Sequence, residues 1–146
     1  MKQSTVLQIR AFNRFYLPAM NLLGNHYLDS EYCATEARVF FDIYEKDGCN
    51  AAYIARKMNI DKSYLSRILT RHEKSGYIIR TRSESDARAF DLHLTESGRL
   101  LTEDLIRRSN EEIGRIIDSL DDEQCAKLEE ALNTVTEILR HTGGNQ

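Results

Sequence analysis

The 146-residue sequence has no tryptophan, a single proline at position 18 and only three cysteines. So little proline favours long uninterrupted helices over a turn-rich sheet protein. The cysteines are odd in number and widely spaced, which excludes a disulfide framework and indicates a reducing cytoplasm. No apolar run approaches the ~20 residues of a membrane-spanning helix, and the first residues lack a signal peptide's apolar segment. The sequence therefore predicts one cytoplasmic domain, residues 1–146, without a membrane partner.

Charged residues are segregated along the chain, although the net charge is only −3. Residues 56–88 hold nine basic and four acidic side chains, whereas residues 101–146 hold five basic and eleven acidic ones. A basic segment between neutral and acidic flanks is what a local phosphate-binding surface requires. An ordinary solvated face would show the same pattern, so charge alone leaves nucleic-acid binding open.

Four segments of the first half show the helical period of three to four residues. The first carries apolar residues from Ile9 to Leu23 on one face, with a kink or break expected at Pro18. Thr35 is expected to cap the second helix, which ends at residues 46–48. Two short helices follow at 51–58 and 62–74, and they form a helix-turn-helix candidate.

The second half begins with two predicted strands, at 77–82 and 90–94, joined by a polar turn. A helix is expected from about Thr95, and a capping box of Asp121 and Gln124 opens a last helix. Residues 143–146 are expected to form a frayed tail. The pattern predicts a mainly α, α+β fold with a two-stranded hairpin.

The long first and last helices keep an apolar stripe that a compact helix-and-hairpin unit would not cover. We therefore expect a homodimer built from residues 1–23 and 100–140. Packing of these helices within one chain, as a three-helix arrangement, is the alternative.

The second short helix offers short or cationic side chains beside its buried Leu65, Ile68 and Leu69. A helix in the major groove presents base-reading residues from the N-terminal part of such an exposed face. The hairpin adds cations at its tip, where they can enter the adjacent minor groove. Asp86 is expected to hold Arg88 extended through a salt bridge. An exposed hairpin with an incidental ion pair is the plainer interpretation.

The run from Asp86 to Gly98 resembles the wing signature of MarR-type regulators, D-x-R-x-x-x-L-x-L-T-x-x-G, and has every fixed position of it. Residues 60–69 resemble the recognition helix of that family, and residues 73–78 resemble its exit into the wing. The resemblance implies a winged helix-turn-helix at about 35–97 with dimerisation helices at about 1–24 and 98–141. It further implies a homodimer that binds palindromic double-stranded DNA and represses nearby genes.

By that similarity, Ser63, Ser66 and Arg67 fall on groove-facing positions, and Arg88 falls on the minor-groove position of the wing. The full set predicted to bind DNA is Lys62, Ser63, Tyr64, Ser66, Arg67, Arg71, Arg82, Asp86 and Arg88. The family's usual input is a small-molecule effector, bound between the dimer helices and the winged helix. Candidates for that site are Asn13, Tyr16, His26, Tyr27 and Tyr32, although aromatic residues at helical spacing more often belong to a core.

Residues 10–16, 27–32 and 35–39 resemble the MarR-like half of MarR/acetyltransferase fusion proteins. The chain ends at Gln146 without an acetyltransferase part, so we expect a stand-alone relative, with a fragment of a fusion as the alternative. No metal, cofactor or catalytic motif stands out, and no enzyme is predicted. Some relatives sense oxidants, for which Cys33 is the candidate here. A protein-binding adaptor is the remaining alternative, but it would have lost the polarity of the groove-facing residues.

Overall fold

A computed structural model describes residues 2–142, in two compact units that divide after Ser109. The predicted tail at 143–146 lies outside the described residues. The elements in chain order are α1 (Gln3–Ala19), α2 (Ala34–Glu45), α3 (Ala51–Met58), α4 (Lys62–Lys74), β1 (Ile78–Arg82), β2 (Phe90–Leu94), α5 (Glu96–Ile117) and α6 (Asp122–Thr142). A single 3-10 turn at Tyr27–Asp29 lies between α1 and α2. The predicted mainly α fold with one hairpin is confirmed.

The first two helices differ from the prediction at their ends. Pro18 lies in the last turn of α1, and the helix ends at the next residue, which confirms the expected break. Leu23, predicted on the same helical face, lies beyond that end. The cap of α2 is Cys33 rather than Thr35, because Cys33 and Glu36 form a capping box that starts the helix two residues earlier.

The predicted bounds of α3 and α4 are confirmed. The Asn50 side chain caps α3, and Asn59 ends it in the left-handed conformation, with φ of 52°. Asp61 caps α4 by accepting the backbone N–H groups of Ser63 and Tyr64 at 3.1 and 3.2 Å. Strong caps on both helices fix the short turn at residues 59–61.

The hairpin is an antiparallel pair in which Ile78 lies opposite Leu94 and Arg82 lies opposite Phe90. The first strand begins at Ile78, one residue later than predicted. Leu92 is buried as its alternation predicts, but Phe90 is 43% exposed because it lies at the outer end of the hairpin. Leu92 also exchanges two backbone hydrogen bonds with Gly48 and Cys49, which attach β2 to the segment between α2 and α3.

The core of the first unit joins α2, α3, α4 and the hairpin. Its buried side chains include Phe40, Ile43, Ile54, Leu65 and Leu92. The start of α5 packs closely here: Thr95 caps the helix through the Gly98 N–H at 3.0 Å, and its own N–H binds the Tyr77 carbonyl. This rigid base holds α4 and the hairpin in a fixed relation.

The described part of the second unit holds the end of α5 and α6. The predicted capping box is confirmed, since Asp121 and Gln124 exchange hydrogen bonds at 2.8 and 3.0 Å. No described residue of α6 or α1 is buried, although both helices carry apolar stripes. The larger exposed apolar side chains are Leu7, Ile9, Phe12, Phe15 and Leu17 on α1 and Leu128, Leu132, Val135, Ile138 and Leu139 on α6.

Candidate nucleic-acid interface

The exposed face of α4 is polar and cationic along its whole length. Ser63, Arg67, Thr70 and Lys74 follow one another at steps of four, three and four residues, so they share one stripe. All four are exposed, while Leu65, Ile68, Leu69 and His72 are buried on the opposite face. The helix therefore offers hydroxyl and cationic groups to a partner and keeps its apolar side in the core.

The first turn of α4 carries the other predicted contacts. Lys62 and Ser66 are exposed and have no side-chain partner among the described residues. The Arg67 guanidinium lies 6.0 Å from the centre of the Tyr64 ring, which supports the cation beside the helix. Because Asp61 already occupies the N–H groups of Ser63 and Tyr64, side chains rather than these backbone donors are available to a ligand.

Arg71 is held by a buried carboxylate rather than free. Its Nη1 donates to Glu36 Oε2 at 3.0 Å, and His72 Nε2 lies 2.7 Å from the same oxygen. Burial alone raises the pKa of Glu36, but the bonds from His72 and the Cys33 backbone, with the charges of His72 and Arg71, lower it overall. The ionised Glu36 thus ties the start of α2 to the second half of α4.

The β1–β2 hairpin, called the wing from here on, is attached to α4 at its base by Arg80. Its Nη2 donates to Thr70 Oγ1 at 3.2 Å, and its Nε lies 3.4 Å from Glu73 Oε2. On the other face of the hairpin, His93 Nδ1 lies 2.9 Å from Asp47 Oδ1 and its Nε2 lies 3.1 Å from Thr81 Oγ1. The wing is therefore supported from α4 and from the α2–α3 connection.

The tip of the wing holds the remaining predicted contacts. Arg82 donates to the Ala87 carbonyl at 3.2 Å, and its guanidinium lies 5.9 Å from the Phe90 ring centre. The expected Asp86–Arg88 salt bridge is wrong: Asp86 Oδ1 accepts the backbone N–H of Arg88 at 3.0 Å instead. This bond orders the turn and leaves the exposed Arg88 guanidinium without a partner among the described residues.

The five effector candidates fall into two groups: Asn13 and Tyr16 lie on α1, whereas His26, Tyr27 and Tyr32 lie in the loop before α2, where the Tyr27 N–H donates to the Tyr32 carbonyl at 2.6 Å. Tyr32 lines a cleft of about 350 Å³ whose wall also includes Asp29, Tyr77, Leu101 and Arg108. The other four lie outside this lining. Tyr16 stacks on Phe12 in α1, with ring centres 5.1 Å apart, and His26 Nδ1 lies 3.1 Å from the Ser30 carbonyl oxygen. Asn13 is exposed, and Tyr27 is half-buried in the 3-10 turn.

The cysteines and histidines give no sign of a metal centre. Cys49 is buried, and burial raises the pKa of its thiol. The Cys33 thiol lies 3.5 Å from Glu36 Oε1. Among residues 2–142, no three His, Cys, Asp or Glu side chains form a group suited to a metal ion.

None of the described helices is long and apolar enough to cross a bilayer.

Sequence reasoning missed Glu36 and the attachment of Arg80 to α4. The sequence did contain one signal for a residue such as Glu36. His72 continues the apolar stripe of Leu65, Ile68 and Leu69, and a polar side chain at a buried position needs a hydrogen-bond partner. Nothing local identified Glu36 as that partner, since 36 residues separate the two in sequence.

The comparisons with known proteins agree with this architecture. Residues 34–90, from the start of α2 to the first residue of β2, match the model of the MarR family. Residues 34–90 are thus of the MarR type. HTH-type transcriptional regulator BilQ of Clostridioides difficile (strain CD3) is 26% identical over 125 residues, which cover 81% of this chain and 84% of BilQ. YfiV of Bacillus subtilis (strain 168), an uncharacterized regulator of the same type, is 30% identical over 60% of this chain and 55% of its own.

Two solved structures of regulators bound to DNA share the fold. FabT of Streptococcus pneumoniae in complex with DNA has a TM-score of 0.71 at 23% identity and covers 97% of each chain. A mutant of MarR from E. coli complexed with operator DNA has a TM-score of 0.74 at 21% identity, over 90% of this chain and 95% of that one. At these identities the likeness shows the fold. The named relatives are transcriptional regulators rather than enzymes.

Proposed function

We propose that this chain is a MarR-family, sequence-specific, DNA-binding transcriptional repressor that acts in the cytoplasm and not as an enzyme. The observation that carries the proposal is the exposed face of α4, polar and cationic from Lys62 to Lys74, on a capped helix-turn-helix beside an arginine-bearing hairpin. A helix of this kind fits the major groove, and its first turns present side chains to base edges.

The side chains divide into base-reading and backbone-binding groups. Arg67 has the planar donor fork that binds guanine in two places, and Ser63 and Ser66 have hydroxyls that bond bases or phosphates. Lys62, Tyr64 and Arg71 flank this stripe, where backbone phosphates pass. Arg88 lies at the wing tip, where a guanidinium can enter the negative potential of a narrow minor groove. Arg82 and Asp86 hold the wing tip.

A second copy of the chain completes the site. The exposed apolar stripes of α1 and α6 are too long and continuous to remain in water, and the same surface on two copies can cover them. A two-fold dimer presents two α4 helices to two half-sites, so the DNA site is palindromic.

We infer that a small-molecule effector regulates DNA binding by the repressor. The cleft beside Tyr32 and Tyr77 is of ligand size and has both aromatic and charged walls. Tyr32 also packs edge-on against His72 of α4, with ring centres 5.4 Å apart. A small molecule in this cleft would therefore act one contact away from the DNA-reading helix.

The test measures binding to the DNA upstream of the coding region by fluorescence anisotropy across a salt series. We expect a preferred palindrome and a steep fall of affinity with salt. Arg67→Ala should cost about 1–3 kcal/mol and relax preference at one base pair, whereas a uniform loss would make Arg67 a phosphate contact. Weak binding without sequence preference, unchanged by candidate effectors, would favour the adaptor and contradict the proposal.

Arg88→Ala tests the wing in the same assay. It should weaken operator binding while leaving the dimer intact, because the tip of the hairpin is remote from the core. Glu84→Gln, another exposed residue of the same loop, is the matched control and should not weaken binding. An unchanged affinity of Arg88→Ala would remove the wing from the interface.

A further inference from the structure

Glu36 is the one side chain of α2 that the hydrogen-bond network joins to two neighbouring residues of α4, Arg71 and His72. Its other oxygen lies 3.5 Å from the backbone nitrogen and the thiol of Cys33, at the cap of its own helix. The carboxylate is therefore held by α4 through one oxygen and by the start of α2 through the other. The Arg71 guanidinium is bonded to a group that is itself held in place.

The exposure of the two partners differs sharply. The Glu36 side chain is 11% exposed and the Arg71 side chain is 62% exposed. A guanidinium has five N–H donors in a rigid fork, and Glu36 uses one of them. The side chain is otherwise largely exposed, at an edge of the DNA-reading helix. A cation held in this way loses less conformational freedom when it binds a phosphate than a free arginine would.

We propose that Glu36 is a positioning residue for DNA binding: its carboxylate orients Arg71 so that the exposed edge of the guanidinium binds the DNA backbone. The inference rests on the proposed function. It assigns an acidic, largely buried residue of α2 to an interface with a polyanion, where an acidic residue would otherwise oppose binding.

Two other roles of Glu36 predict different results. If the carboxylate only neutralised Arg71, its removal would strengthen DNA binding, since a negative charge near the phosphates would be lost. If it only stabilised the core through His72, its removal would lower the melting temperature and leave the salt dependence of binding unchanged. Only the positioning role predicts both weaker DNA binding and a smaller salt slope, which is the fall of the logarithm of the affinity with the logarithm of the salt concentration.

The experiment compares full-length wild type, Glu36→Gln, Arg71→Ala and the double variant by operator anisotropy across a salt series. Glu45→Gln, an exposed acid of the same helix, controls for the loss of one negative charge. We expect Glu36→Gln and Arg71→Ala each to weaken binding about tenfold and to lower the salt slope by about one. The double variant should bind no worse than Arg71→Ala, and Glu45→Gln should bind at least as well as wild type.

Three results would overturn the inference while the proposed function stands: tighter binding by Glu36→Gln, an unchanged slope in Arg71→Ala, or fully additive losses in the double variant. The Arg71 side chain is 62% exposed, so an unchanged slope in Arg71→Ala overturns the inference even where Glu36→Gln is poorly folded. Arg71→Lys keeps the charge without the fork and should also weaken binding. Wild type without a salt-dependent, sequence-selective complex would overturn the inference and the proposed function together.

Discussion

At the scale of single residues, His72 shows how a polar group is kept inside this core. The ring is almost fully buried and contacts the rings of Tyr32 and Phe40, with centres 5.4 and 4.7 Å away. Its Nε2 is bonded to Glu36, while its Nδ1 has no partner within the described structure. One strong bond to an ionised group therefore supports the burial of the whole imidazole.

The lowered pKa of Glu36 predicts an acid-sensitive contribution to stability. Because the folded state favours the ionised carboxylate, this contribution is complete above the ordinary value of 4.5 and is lost as the pH falls below it. Urea unfolding of wild type and Glu36→Gln between pH 7 and pH 3 measures it. The difference in unfolding free energy should be largest at neutral pH and shrink towards pH 3. A constant difference across that range would contradict the assignment.

A second prediction at this scale separates the two roles considered for Asp86. The structure shows its carboxylate accepting a backbone N–H, which requires an acceptor oxygen but no charge. Asp86→Asn keeps that acceptor and should bind the operator as well as wild type. Asp86→Ala loses it and should weaken binding about threefold to tenfold, because the wing tip then samples more conformations. Equal losses in both variants would restore the salt-bridge interpretation.

At the scale of elements, α3 and α4 could be predicted to the residue because strong caps and a clear apolar period coincide in both. The start of α2 could not, since cysteine is outside the set of side chains that usually cap helices, and Thr35 was a better candidate by type. The Glu36–Arg71–His72 contacts depend on how α2 packs against α4. No local pattern encodes that packing, so this part of the site was visible only in the structure.

The junction between the hairpin and α5 gives a prediction at this scale. A Cβ at Gly98 would overlap the carbonyl oxygen of Tyr77, where the start of α5 packs against the entry to β1. Gly98→Ala should therefore lower the unfolding free energy by about 1–3 kcal/mol, although alanine favours the helix.

Gly114 is the matched control in the same helix. An added Cβ there meets nothing within 4 Å, so Gly114→Ala should stabilise the chain by about 0.5–1 kcal/mol. Chemical denaturation of both variants at one protein concentration makes the comparison. Similar effects of the two substitutions would show that the close approach at Gly98 does not constrain the fold.

At the scale of the whole molecule, the sequence pattern predicted long terminal helices with apolar stripes, and the structure leaves those stripes uncovered in a single chain. Phe15 of α1 is 70% exposed and Ile138 of α6 is 59% exposed. Periodicity could not identify the surface that covers these stripes, because an apolar stripe indicates burial against a partner but not whether that partner is the same chain, a second copy or another protein. In the proposed dimer, a second copy would cover the exposed stripes.

The dimer therefore predicts a sharp contrast between two neighbouring positions of α6. Ile138→Glu places a charge on the apolar stripe and should weaken self-association about tenfold or more, because the charge must be desolvated on assembly. Glu137→Gln changes an exposed acid beside it and should leave association unchanged. Sedimentation equilibrium over a range of concentrations, with circular dichroism to confirm helix content, measures both. If Ile138→Glu dimerises as strongly as wild type, the interface lies away from α6. If the wild-type chain is itself monomeric, it lacks the two-fold symmetry that a palindromic DNA site requires, and the proposed dimer is wrong.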